Sequence, residues 1–302
     1  MALIATLGVS TAFAQWDPTS KASNLGSIVN TRHNMTQSYI GSSGMAGFMD
    51  YSRNNYAEVC VYCHTPHGSN STINAPLWNR TNKTTTYTLY SKQLTSGQTP
   101  TQPGLNSLTC LSCHDGTVAI DSIINMPTTQ TTAYGGNYSA GQETTQNNTF
   151  LDAWTNPSGI AVNDHGTLWN SASGYFSGPY NCNRCHTQGN VWGIPDFAPF
   201  LVGTDLSNDH PVGVQLPDPA VYDFNATTGI DGSLKFYDTN TNGRADTNEV
   251  RLYDTGDGYE VECASCHDPH GAPSAGPGSA RIASFLRVDN TGSTLCLTCH
   301  DK

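Results

Sequence analysis

Ten cysteines fall into five pairs of one spacing, and a histidine follows every pair. The pairs are Cys60 and Cys63, Cys110 and Cys113, Cys182 and Cys185, Cys263 and Cys266, and Cys296 and Cys299, followed by His64, His114, His186, His267 and His300. Two thiols separated by two residues, with an imidazole next, form the attachment signature of a c-type haem. Each thiol adds to one vinyl group on the same edge of the porphyrin, and the histidine is delivered to one face of the iron. Cys-x-x-Cys alone also serves zinc sites and thioredoxin-like redox centres. Zinc takes ligands in sets of four and gives no reason for a histidine after every pair. A disulfide framework explains an even cysteine count but not the histidines. The pattern uses every cysteine and predicts five covalently attached haem c groups.

The ten histidines then divide evenly. Five are the proximal ligands just named, and His33, His67, His165, His210 and His270 remain as sixth ligands. The count closes if every iron is bis-histidine. His67 comes three residues after His64 and stays on its proximal side, so it should reach a neighbouring haem, and the same holds for His270 after His267. The expected pairing is therefore His33 on the first iron, His67 on the second, His165 on the third, His210 on the fourth and His270 on the fifth. The competing reading is that some of these are exposed histidines, since Asn163-Asp164-His165 and Asn208-Asp209-His210 are turn-like. Met35, Met45, Met49 and Met126 are alternative ligands that would raise a haem's potential, but the count does not need them. Six-coordinate iron has no open position for a substrate. The expectation is electron transfer, not catalysis, with the protein setting spacing, axial ligands and burial.

Residues 238–249 carry a second constellation. Asp238, Asn240, Asn242, Gly243, Arg244, Asp246 and Glu249 match the calcium-loop pattern of alternating side-chain oxygens, a glycine turn, a backbone carbonyl and a closing glutamate. The flanks do not look like EF-hand helices. Lys235 to Thr239 and Arg251 to Thr255 resemble each other and read as paired strands. The alternative is a plain polar turn in a hairpin. With calcium bound, the ion's role would be structural.

The elements that position these groups are sparse. Only 36% of the 302 residues are hydrophobic, a low share for a globular chain. Five haems supply large apolar plates that the protein need not encode. The expected fold is mostly irregular, with short helices and a few short strands, a multihaem cytochrome c wrapped around a stack of five covalent haems. Thr84 to Leu94 reads as a short strand or hairpin. An internal repeat joins Cys-x-x-Cys-His-x-Pro-His-Gly at 60–68 and 263–271, each copy followed by Cys-Leu-x-Cys-His-Asp, at 110–115 and 296–301. Each copy is preceded by an isolated histidine, His33 or His210. The chain divides into a signal peptide (1–14), a two-haem module (15–127), a polar linker or loop (128–150), a one-haem middle segment (151–205) and a second two-haem module (206–302). The second module contains the inserted hairpin 234–258.

Arg32-His33-Asn34, Cys60 to Gly68, Pro76 to Arg80, Cys110 to Asp115, Asn208 to Val212 and Val261 to Gly271 resemble the multihaem c-type cytochromes of metal-reducing bacteria. Some of that group polymerise into extracellular filaments, with a histidine of one subunit completing a haem of the next. By resemblance, His33 is the candidate for that part. Multihaem reductases are similar in haem count but keep one five-coordinate haem, often with lysine in place of the motif histidine. Every motif here ends in histidine.

The net charge of -11, with 13 Lys and Arg, argues against nucleic acid as a partner. Expected partners are redox donor and acceptor proteins, an extracellular mineral or metal acceptor, and further copies of the chain in a homopolymer. Ala2 to Val9 is apolar and Ala12-Phe13-Ala14 suits signal cleavage, although no basic segment precedes it. No later apolar run reaches the length of a membrane span. The chain reads as exported, to the cell surface or beyond rather than to the periplasm. A soluble periplasmic shuttle is the alternative.

Overall fold

The computed structural model describes residues 28–36, 56, 58–73, 75–81, 84–125, 130–131, 137–138, 166–168, 182–184, 186–187, 197–271 and 283–301. The leader, most of the 128–150 segment, His165, Cys185, Met45, Met49 and Met126 lie outside the described residues. Three α-helices occur among them: α1 (Leu105–His114), α2 (Cys263–Cys266) and α3 (Thr294–Cys299). Each carries one Cys-x-x-Cys pair, so the helices are little longer than the motifs they hold. Helices this short are marginal alone and depend on tertiary partners.

Two sheets occur among the described residues. β1 (Gln130–Thr131) and β2 (Asn137–Tyr138) form a two-residue ladder within the expected polar loop. A five-stranded antiparallel sheet lies in the second module, in the order β3-β7-β6-β5-β4. Its strands are β3 (Val214–Gln215), β4 (Gly229–Asp231), β5 (Leu234–Phe236), β6 (Arg251–Asp254) and β7 (Tyr259–Val261). The segments flanking the acidic loop do pair, with Lys235 opposite Leu252 and Phe236 opposite Arg251. β4 and β5 are joined by a two-residue turn at Gly232 and Ser233, with Gly232 at φ +57 as a tight hairpin requires. Gly229 is needed for space, because a Cβ there would run into the ring of Phe236, which is fully buried opposite it.

The polypeptide core is small and divided. Tyr56, Val61, Tyr62, Ala119 and Ile123 form one cluster beside the first motif, with Met35 and Cys63 packed against it. Tyr87, Leu111 and Leu206 form another around α1. Met35 is therefore partly buried against this core.

The segment Thr84 to Leu94 forms no ladder among the described residues, only a parallel bridge from Thr88 to Asp205. The reason lies outside the segment. The side-chain amide of Gln102 donates to the Tyr87 carbonyl at 3.0 Å and accepts from the Tyr87 N–H at 2.9 Å. It takes both groups that a neighbouring strand would have used.

Candidate haem sites and the straps that orient them

Each described motif folds as one helical turn. The N–H of His64 donates to the Cys60 carbonyl at 2.7 Å, His186 to Cys182 at 3.0 Å, His267 to Cys263 at 3.1 Å and His300 to Cys296 at 2.9 Å. The second motif lies wholly inside α1. The turn places the first cysteine and the histidine on one face, so both reach one ligand.

A second chain segment then orients three of the five proximal imidazoles, and the sequence did not reveal it. His64 Nδ1 pairs with the Pro76 carbonyl at 2.6 Å, His114 Nδ1 with Phe200 at 2.7 Å, and His267 Nδ1 with Ser284 at 2.8 Å. A carbonyl can only accept, so Nδ1 carries the proton and the lone pair sits at Nε2, the nitrogen presented to a metal. The straps of the first and fourth motifs are equivalent. Thr65 N–H bonds the Leu77 carbonyl, as Asp268 N–H bonds Phe285. Asn79 N–H bonds the Cys63 carbonyl, as Arg287 N–H bonds that of Cys266, the counterpart of Cys63. The Asn79 side chain donates to the Val61 carbonyl at 2.7 Å, and Arg287 Nε donates to Ala264 at 3.0 Å. Leu77 and Phe285 both adopt the left-handed region, φ +55 and +61, a strained setting for non-glycine residues that recurs where the strap turns.

Two of the remaining histidines stand opposite proximal ones. The ring centroids of His64 and His270 are 6.0 Å apart, with planes at 15°. Those of His33 and His114 are 6.1 Å apart, with planes at 74°. Two imidazoles bound through Nε2 at about 2 Å from one iron place their centroids about 6 Å apart. His270 Nδ1 pairs with Asp268 Oδ1 at 3.1 Å, and His33 Nδ1 with the Pro269 carbonyl at 2.7 Å. This arrangement of rings differs from the expected assignment. His33 faces His114 rather than His64, and His270 faces His64 of the other module. The physical reason is that the two modules pack against each other, which spacing along the chain does not encode. His67 and His210 are exposed, and neither has a ring opposite it among the described residues. His210 Nδ1 turns to the carbonyl of its own neighbour, Pro211, at 3.0 Å.

Burial favours the neutral form of two of these imidazoles. It lowers the His64 pKa against the pull of the Pro76 carbonyl, and His270 lowers it further. Burial also lowers that of His267, with Ser284 opposing and His114 and Arg287 adding. A lowered pKa keeps the ring neutral, the form that binds metal. As free thiols, the cysteines show which motifs are neighbours. Burial and then Cys113 push Cys63 up to about 12, burial and then Cys263 raise Cys110, and burial and then Cys299 push Cys266 up to about 12. Charge interactions weaken with distance, so the first motif lies near the second, the second near the fourth, and the fourth near the fifth.

Glu262 joins two of these motifs. Its carboxylate accepts from Gly104 N–H at 3.1 Å and from Ser107 Oγ at the start of α1, while it caps α2 through a capping box with Ser265. Burial pushes its pKa up to about 7, against the hydrogen bonds from Ser107 and Gly104. A carboxyl whose folded pKa exceeds its unfolded value contributes stability that is full below about pH 4.5 and lost as pH rises through about 7. Glu262→Gln should therefore flatten the decline in melting temperature between about pH 5 and about pH 8. An unchanged pH profile would assign that decline to other groups.

The residues fit a haem in further respects. Trp78 Nε1 is buried beside His64 without a hydrogen-bond partner, as a donor awaiting a haem-borne acceptor would be. The middle motif is held by Cys182 N–H on the Thr167 carbonyl, and the His186 ring stacks on Phe197 at 3.7 Å.

The 238–249 loop spans β5 to β6. Asp238 accepts from the N–H groups of Asn242 and Gly243, and the amides of Asn240 and Asn242 both meet Asp246 Oδ2, at 2.7 and 2.8 Å. Glu249 is fully buried and accepts from Thr239 and from the Asp246 N–H. Among the described residues, no three of His, Cys, Asp and Glu converge closely enough to hold an ion, since asparagine amides lie between the carboxylates here.

No helix among the described residues is long and apolar enough to cross a membrane. No curated protein matches the chain. The family described as the doubled CXXCH motif matches residues 258–302, the segment that holds the fourth and fifth motifs. That match covers under a sixth of the chain and suggests a haem-binding electron-transfer cytochrome over that segment.

Proposed function

We propose that the chain relays electrons along five covalently attached c-type haems, each held between two histidines, outside the cytoplasmic membrane and in extracellular electron transfer. The observation that carries the reading is the pair of imidazole spacings between distant segments, 6.0 Å for His64 and His270 and 6.1 Å for His33 and His114. When bound, each haem supplies one-electron exchange at its iron. The chain's own residues hold the group by its edge, present Nε2 to both faces and set neighbouring motifs close together.

The test is a haem count with spectroscopy on the purified protein. Five haems per chain are expected, with low-spin ferric iron at the first two motifs. The near-parallel planes of His64 and His270 should give an ordinary rhombic EPR signal. The near-perpendicular planes of His33 and His114 should give a highly anisotropic one. Fewer haems, or high-spin ferric iron at either of these sites, would overturn the reading.

Calcium at the 238–249 loop is part of the proposal, with Asp238, Asn240, Asn242, Asp246 and Glu249 as side-chain ligands and Arg244 through its carbonyl. Rotating the two asparagine amides would turn oxygens in place of N–H groups towards the centre. Calcium should raise the melting temperature, and Glu249→Gln should abolish that rise. A melting temperature indifferent to calcium and to chelator would remove the ion from the account.

A further inference from the structure

The two modules share the turn Cys-x-x-Cys-His-x-Pro-His-Gly, and the residue after its first histidine differs between them. It is Thr65 in the first module and Asp268 in the second. The backbone around it is alike in both. Thr65 N–H bonds the Leu77 carbonyl as Asp268 N–H bonds that of Phe285, and the closing glycine is left-handed in each, φ +62 at Gly68 and +75 at Gly271. The two side chains do different things. Thr65 Oγ1 donates to the His67 carbonyl at 3.0 Å. Asp268 Oδ1 accepts from the backbone N–H of His270 at 3.0 Å and from its ring Nδ1 at 3.1 Å.

That contact sets His270 apart within the two facing pairs. His64, His114 and His33 turn Nδ1 to the backbone carbonyls of Pro76, Phe200 and Pro269. A carbonyl is a neutral acceptor. A carboxylate draws the Nδ1 proton harder and makes Nε2 a stronger donor to a metal. Asp268 is only 5% exposed, so water does little to weaken its charge. Its other oxygen lies 3.8 Å from Arg287 Nη1, and Arg287 is itself buried, with its guanidinium on the carbonyls of Ala264 and Thr247. The carboxylate is held from both sides.

We propose that Asp268 is a positioning residue for the first site, where it makes His270 the stronger donor of the two facing imidazoles and so holds the potential of that haem down. A stronger axial donor favours ferric over ferrous iron. Asp268 acts through His270. It belongs to the second module, so one module tunes the haem attached to the other. The inference rests on the haem-ligation reading above.

The experiment is a redox titration of the purified holoprotein followed by EPR, in which each ferric signal reports the midpoint of its own site. Asp268→Asn keeps an oxygen for Nδ1 and removes the charge. Asp268→Thr installs the residue that the first module carries at the same place, so an equivalent turn already accepts it. In both variants the rhombic signal of His64 and His270 is expected to stay low-spin with its midpoint shifted upwards. The highly anisotropic signal of His33 and His114 should keep its midpoint. An unmoved rhombic midpoint would overturn the proposal and leave Asp268 a purely structural residue. Equal upward shifts of both signals would overturn it as well, since they report a general loss of negative charge. High-spin iron at the first site in both variants would do the same, because Asp268 would then be needed for ligation and not for donor strength. Absence of the rhombic signal from the native protein would instead sink the ligation reading, and this role with it.

Discussion

Replacing His270 with alanine is expected to open the first iron, not the fifth. The imidazole 6.0 Å from His64 is lost, the iron becomes five-coordinate, and one additional carbon monoxide site per chain should appear. The rhombic EPR signal assigned to the near-parallel pair should disappear, while the highly anisotropic signal of His33 and His114 remains. Asp268 adds a pH signature. Burial raises its carboxyl, but the hydrogen bonds from His270 and the charge of Arg287 outweigh burial, so its pKa lies below the ordinary value. A depressed carboxyl contributes stability above its unfolded pKa and loses it as pH falls through the folded one. Without His270 that stabilisation shrinks, so acid unfolding should begin at higher pH. Survival of the rhombic signal would show that another residue ligates the first iron.

Arg80→Met should be the most destabilising single change near the first two motifs. Arg80 is 2% exposed. Its Nη1 donates to Ile120 at 2.9 Å, and its Nη2 donates to Ser112 at 3.0 Å and Ala119 at 2.9 Å. Hydrogen bonds from a charged donor contribute about 1.5–3 kcal/mol each, and the substitution removes that donor from three buried carbonyls, of which Ala119 keeps the Ser122 N–H. Some of that is offset because methionine needs no desolvation of a guanidinium. A net loss of at least about 3 kcal/mol is expected, read as a fall in denaturation midpoint. The same cation lowers the neighbouring Cys63 thiol, so its field reaches the first motif. A buried positive charge favours ferrous over ferric iron, and its removal should lower that haem's potential. A stability within about 1 kcal/mol of native would show the carbonyls finding water.

Local features were legible in the chain. The five Cys-x-x-Cys-His motifs are short, and their chemistry depends on spacing alone. The strands flanking the acidic loop could be read because their likeness to each other is local, and they pair as Lys235 with Leu252. The two-module repeat was visible for the same reason. Thr84 to Leu94 misled because its composition suits a strand, while the Gln102 amide that occupies Tyr87 lies 15 residues away.

The sequence determined which residues are spaced to attach haem and how many histidines are on hand, because thioether formation and proximal ligation need only neighbouring residues. Tertiary structure alone decided which histidine faces which. His270 reaches His64 from the opposite module, and His33 is steered by Pro269 across 236 positions. The straps that fix the proximal tautomers belong to the same class, since Phe200 orients His114 from 86 residues away. The sixth ligand must approach the far face of the iron, and the segment that lies there is chosen by packing.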